Sequence, residues 1–265
     1  RREGRNILVE IGKATAILPP EGQIESDRYY PGTRMKLYVE AVNLTPRGAE
    51  IRTSRAHEGM VKNIFAIEVP EVGNGTVVIK EIAREAGGRT KIAVWTDAPN
   101  IDPIGACIGQ RGTRIQTIIA ELGGEKIDVI QYDEDPVKFI THAMAPAKVA
   151  RVELKDAEHT AVVSVSPDQF SLAIGRGGQN VRLAARLAHW KISVVEEGGE
   201  ARAADSEGTG TETEPAETPV AGEAGKTSLP TGDLSKGDKT SETSLPKGDK
   251  TGSASEITEP DAKSS

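Results

Sequence analysis

Between residues 6 and 54 apolar and polar positions alternate in short runs, at 6–11, 14–18, 35–42 and 49–54. A period of two predicts half-buried strands. Turn-forming clusters separate them: Pro19-Pro20-Glu21-Gly22, Tyr30-Pro31-Gly32 and Pro46-Arg47-Gly48. The period then changes. Residues 57–67 have helical spacing, 75–82 and 90–96 are strand-like, and a short helix leads into Gly109-Gln110-Arg111-Gly112. Behind that loop Ile115, Ile118, Ile119 and Leu122 fall on one helical face, and 126–130 alternates again. The same series then recurs. Residues 136–144 are helical, 148–154 and 160–165 are strand-like, and Gly175-Arg176-Gly177-Gly178 follows. Val181, Ala184, Ala185 and Ala188 share a helical face, and 191–195 forms a closing strand.

The two series are copies of one unit. Residues 107–115 and 173–181 align at an offset of 66, with glycines and flanking apolar positions in register. Each unit reads helix, strand, strand, short helix, glycine loop, helix, strand. This αββααβ pattern around Gly-x-x-Gly is that of an RNA-binding K-homology module. A glycine at each end lets the chain turn tightly and lets a sugar-phosphate backbone approach with no Cβ in the way. The next helix points its N-terminal amides at the phosphate. Candidate RNA-binding residues are therefore Gly109, Gln110, Arg111, Gly112 and Arg114 in the first unit. In the second they are Gly175, Arg176, Gly177, Gly178, Gln179, Asn180 and Arg182. One Gly-x-x-Gly is usually a plain turn; two in register within matching surroundings are a strong signal. Neither loop fits a Walker or dinucleotide fingerprint. Arg84, Arg89 and Lys91 cluster on the hairpin of the first unit. They either extend the phosphate path or decorate a solvated turn.

Composition changes the picture at two points. Residues 199–265 contain no Phe, Trp, Tyr, Met, Cys or His and hold 14 Asp/Glu against 7 Lys/Arg. Such a segment cannot bury enough apolar surface to offset chain entropy, so 198–265 is expected to be a disordered acidic tail. Residues 227–233 echo in 243–249, as in a low-complexity spacer. The tail also carries the whole formal charge of −7; the remaining 26 acids and 26 bases balance. Whole-chain acidity is thus no argument against RNA. The lone Cys107 excludes a disulfide framework and a Cys-rich zinc site, and four scattered His form no ligand cluster. Cys107 reads as a small buried hydrophobe, and Trp95 and Trp190 as packing residues. No cofactor is expected, no membrane span is present, and the compartment reads as cytoplasmic.

Several segments resemble the NusA family of bacterial transcription factors: Val69-Pro70-Glu71-Val72, residues 81–94, 102–109, 124–128 and 172–184. The resemblance runs over about residues 5–196. It implies an α+β chain: a partial OB-fold β-barrel, two tandem type II K-homology domains and the disordered tail. The expected divisions are 1–56, with the first OB strand missing, then 57–133, 134–197 and 198–265. The resemblance implies a monomer that binds single-stranded nascent RNA, RNA polymerase and other elongation factors, modulates pausing, termination and antitermination, and catalyses nothing. Gly177 departs from the family pattern, which often has an acid there. The family's N-terminal polymerase-binding domain is also absent, so the chain reads as a fragment. A ribosome-associated K-homology protein fits the motifs less well. A polynucleotide-phosphorylase-type exoribonuclease has a catalytic core first and its OB module after the K-homology one, the reverse of this order.

Overall fold

The computed structural model describes residues 1–46, 48–197 and 203–205. The tail with its internal echo lies outside the described residues, apart from Ala203–Asp205.

The N-terminal module is a five-stranded sheet. Its strands are β1 (Arg2–Glu3), β2 (Asn6–Ile11), β3 (Ala14–Leu18), β4 (Tyr38–Thr45) and β5 (Gly48–Ser54), in the order β1-β2-β3-β5-β4. β3 and β5 run parallel and every other pairing is antiparallel. This is the order of a partial OB-fold, with β1 only two residues long. Alternation sets the register: Ile7 pairs with Leu18, and both face a small core with Ala16 and Ile24. β4 begins three residues later than the sequence pattern predicts, and a register shift between Val39 and Ala41 interrupts its alternation.

Each K-homology unit has the expected order. The first comprises α1 (Glu58–Glu68), α2 (Pro70–Gly73), β6 (Val78–Glu85), β7 (Arg89–Trp95), α3 (Pro103–Ile108), α4 (Thr113–Glu121) and β8 (Lys126–Gln131). The second comprises α5 (Pro136–Ala143), β9 (Arg151–Lys155), β10 (Thr160–Val165), α6 (Pro167–Ile174), α7 (Gln179–Ala188) and β11 (Lys191–Glu196). In both sheets the middle strand, β7 or β10, pairs antiparallel with one neighbour and parallel with the other. Asp-Pro pairs start two of the helices. Asp102 accepts from the Ile104 amide at 3.0 Å, and Asp135 from the Val137 amide at 2.9 Å, each with proline in the first turn. The four-residue α2 was not anticipated. Ala203–Asp205, within the span expected to be a disordered tail, forms β12, antiparallel on β11. A strand edge needs only backbone donors and acceptors to accept another strand, which is why a segment with no large apolar side chain can add there.

Two cores hold the units. Met60, Ile64 and Phe65 of α1 pack with Ile92, Val94, Ile118 and Leu122 on one face of the first sheet. The other face of that sheet, through Ala83, Ala93 and Ile130, joins Phe139, Ile140, Met144, Leu183, Leu187 and Ile192 of the second unit. The first sheet is therefore covered on both sides. Accordingly all five residues from Thr90 to Val94 are buried, in place of an alternating pattern. The N-terminal module is tied on by Arg55, which is 5% exposed. It donates to Asp27 at 2.6 Å, the Lys36 carbonyl at 3.0 Å and the Glu121 carbonyl at 3.2 Å. No helix among the described residues is long and apolar enough to cross a membrane.

Candidate nucleic-acid interface

The two glycine loops superimpose in their dihedral angles. Gly109 lies at φ 75, ψ 173 and Gly175 at φ 75, ψ 175, a region that essentially only glycine occupies. A Cβ on Gly109 would sit 2.7 Å from Arg114 Cγ, and one on Gly175 would sit 2.8 Å from Asn180 Cβ. Each chain then makes one 3-10 turn whose central residue is left-handed: Arg111 at φ 54 and Gly177 at φ 58. The turn lifts Gln110, Arg111, Arg176 and Gly177 into solvent. α4 and α7 start immediately behind, so their free first-turn amides and positive dipole ends face the loop. The loops differ at that left-handed position. Arg111 keeps a side chain there at a cost in backbone strain, whereas Gly177 adopts the conformation freely.

Arg114 and Asn180 occupy equivalent positions, 66 residues apart, and do equivalent work. Arg114 donates to the Ala106 carbonyl at 2.8 Å and pairs with Glu71 at 3.1 Å. Asn180 is 4% exposed and donates through Nδ2 to the carbonyls of Met144 and Ala173, both at 3.0 Å. Each takes a carbonyl from the helix leading into its loop, Ala106 of α3 or Ala173 of α6, and Asn180 adds that of Met144 just after α5. These residues hold the loop in shape from behind, and Asn180 does not face solvent as its sequence position implied.

The hairpin cations need correction. Arg84 is buried, its side chain 1% exposed, and makes a fork with Glu125 through Nε and Nη2, both at 2.9 Å. Lys91 is fully buried between the Ala145 carbonyl at 2.6 Å and Asp128 at 3.2 Å; burial pushes its ammonium down to about 8 against the pull of Asp128. Neither can reach a phosphate. Arg89 is partly exposed but is engaged by Asp128 at 2.7 and 2.8 Å. The reason is remote partners: the second unit packs over the face of the hairpin that carries Lys91, and on the opposite face Glu125 and the His57 carbonyl at 2.8 Å enclose Arg84.

Gln179 and Arg182 are also drawn into this junction. Glu85 at the end of β6 accepts from Gln179 at 2.8 Å, Arg182 at 2.7 Å and Arg186 at 2.8 Å. Burial alone would raise the Glu85 carboxyl, but hydrogen bonds from Arg182 and Gln179, with the charges of Arg182 and Arg186, hold it below its ordinary 4.5. A carboxylate with a depressed folded pKa contributes stability fully above its ordinary range, and loses it as pH falls through the depressed value. Thermal unfolding of the parent and Glu85→Gln should therefore differ at pH 6 and converge as the pH is lowered below 4.5. A gap that stayed constant with pH would show that Glu85 does not act as a charged clamp. The acids Glu71, Glu85, Glu125 and Asp128 were missed as partners. The available signal was the balance of acids and bases outside the tail.

Beside the first loop, half-buried Ile104 and Ile108 of α3 lie against β8, whose Ile127 and Val129 are also half-buried, giving an apolar strip. Phe170 and Ile174 of α6 hold the matching places beside the second loop. Cys107 is buried and its thiol is pushed up to about 12 by burial and by Glu71, so it is an inert packing group. Trp95 carries the Lys80 ammonium 4.6 Å from its ring centre, and Trp190 packs on the second core.

Family models match both units: the NusA-like first KH domain over residues 55–132 and the NusA-like second KH domain over residues 136–202. Three relatives bear the name transcription termination/antitermination protein NusA. Those of Halalkalibacterium halodurans and Bacillus subtilis are each 46% identical over 197 residues, 74% of this chain and 52% and 53% of theirs. That of Thermus thermophilus is 48% identical over 191 residues, 72% of this chain and 49% of its own. The chain thus spans about half the length of the curated relatives it matches. With both K-homology units matched in order and nearly half the residues identical over 197 aligned positions, the chain belongs to the NusA family.

Proposed function

We propose that this chain holds single-stranded nascent RNA along its two glycine loops, as the RNA-binding part of a transcription termination and antitermination factor. The observation that carries this reading is the twice-built loop: the same left-handed turn, 66 residues apart, with Gln110, Arg111 and Arg176 presented to solvent at its tip. Phosphates would lie against Gly109–Gly112 and Gly175–Gly178, with bases across the apolar strips beside α3 and α6. Arg114 and Asn180 position the loops. Arg89 and Arg182, half-exposed and already paired, lie at the margins of the path. The names of the relatives support a role in termination and antitermination; in this reading RNA polymerase and other elongation factors are its partners. In this reading the protein is a cytoplasmic monomer without catalytic activity, divided at 1–56, 57–133 and 134–197. A filter-binding or anisotropy titration with an unstructured RNA of about ten nucleotides, four for each loop and a short link, tests it. Arg176→Asp should weaken binding about tenfold or more, the scale of one charge-assisted contact turned repulsive. Parent-like affinity in a folded Arg176→Asp protein would count against the second loop as an RNA site.

A further inference from the structure

Along α7, from Arg182 to its end at His189, lies a shallow, open cleft of about 330 Å³. Its walls are His159, Trp190, Arg182, Arg186, Lys191 and Glu158, with Ala185 at its back. The His159 imidazole lies flat on the Trp190 indole, ring centres 4.1 Å apart and planes within 21°. His159 and His189, which flank the cleft, both adopt left-handed backbone at φ 50 and φ 58. The only other residue besides glycine that does so among the described residues is Arg111, at the tip of the first RNA loop. His189 is the left-handed cap of α7 and His159 that of the short turn Asp156–Glu158, a conformation that surrounding structure holds in a residue other than glycine. Here the enforcement includes the Lys191 amide, which donates to the His159 carbonyl at 3.1 Å.

We infer that this cleft is a stacking site for one further nucleotide of the same RNA strand, with its base against the His159–Trp190 pair and its phosphate at the rim by Arg186 and Lys191. The reading rests on the RNA function proposed above and extends it along α7. Along α7 the cleft reaches from Arg182, which itself donates to the Gly177 carbonyl at 3.1 Å, to His189, about 10 Å further along the helix, a span that a single strand leaving the loop can cover. The chemistry favours a stacked base over a free anion. Arg182 and Arg186 share Glu85, His189 rests on Glu81 at 3.1 Å, and Glu158 faces the opening. The cations are thus largely balanced, and what remains unusual is an accessible aromatic stack with a weakly polar floor. Aromatic platforms of this kind hold bases of any sequence by their π faces.

Trp95 and Trp190 are the only tryptophans in the chain, so Trp95→Phe leaves Trp190 as the sole indole reporter. In that background an RNA long enough to run from the second loop past His189 should quench and shift the Trp190 emission. An RNA covering the loop alone should bind without doing so. His159→Ala, which removes one stacking partner from an exposed turn, should weaken the long RNA about tenfold and leave the short RNA unchanged. That increment should persist in high salt, because it is stacking and not ion release. If short RNA binds through the loops but the long RNA leaves Trp190 emission and the His159→Ala affinity unaltered, the stacking site is wrong and the loop reading stands. If neither RNA binds, the loop reading fails first.

Discussion

Replacing Glu125 by alanine should lower the unfolding free energy of the folded region by about 3–5 kcal/mol. Glu125 is fully buried. It accepts two bonds from Arg84, one from the Gly87 amide at 2.8 Å and a short one from the Thr90 hydroxyl. Removing it leaves a guanidinium with 1% exposure holding only the His57 carbonyl, and two further donors, the Gly87 amide and the Thr90 hydroxyl, without that acceptor. Water cannot reach them at that depth, so the loss is the desolvation penalty of a stranded charge and not merely one ion pair. Against a total stability in the usual range of about 5–15 kcal/mol, this is a large fraction. Replacing both partners by apolar residues, Arg84→Met with Glu125→Leu, should cost less than the sum of the single changes, because no charge is stranded. Urea unfolding followed by circular dichroism measures Glu125→Ala, the two single changes and the double. A loss below 1 kcal/mol for Glu125→Ala would mean that Arg84 finds solvent, which would reopen the hairpin as a phosphate contact.

That experiment bears on why parts of this molecule could be read from its sequence and parts could not. The loops were legible because their signals are local and repeated. Glycine spacing, flanking isoleucines and the apolar face behind each loop all lie within a dozen residues, and the second copy removes most of the ambiguity of the first. Arg84, Arg89 and Lys91 were misread because their partners are remote in sequence. Glu125 and Asp128 lie on the far side of the glycine loop, and the α7 residues that cover the hairpin are about a hundred positions away. A hairpin rich in Arg and Lys looks solvated when only its own alternation is considered. Strand limits slipped for a related reason. The first unit's opening strand was expected at 75–82 and lies at Val78–Glu85, with a register shift between Ile79 and Glu81 that breaks the period of two. Asn180 was misplaced because an asparagine beside a glycine loop suits a solvent-facing contact as well as a buried carbonyl clamp. Only its closeness to Gly175 separates the two roles.

The largest effect on binding should come from disabling both loops at once. Gln110→Asp with Arg111→Asp puts two acids where one phosphate must approach in the first unit. Asp is tolerated at the left-handed position that Arg111 already occupies at φ 54. In the second unit Arg176→Asp is the matching change. Gly177 is better kept, because at φ 58 any side chain there adds strain and would confuse folding with binding. All the altered side chains are solvent-facing, so stability should move by no more than about 0.5 kcal/mol. Because the two units share one core, engagement of the second loop is intramolecular once the first has closed on RNA, and affinity gains from effective concentration. Each single-loop variant should therefore fall well below the parent, by about tenfold or more, and the combined variant should retain only weak, nonspecific binding. Salt should report the same loss independently. For a single strand each phosphate contact contributes about 0.7 to the slope of log affinity against log salt, so the slope should flatten stepwise from parent to single to combined variant. Titrations at several ionic strengths, with circular dichroism confirming the fold, measure both quantities. If the combined variant is folded and binds a ten-nucleotide RNA with the affinity and salt slope of the parent, the glycine loops are structural turns and the RNA path lies elsewhere on the molecule.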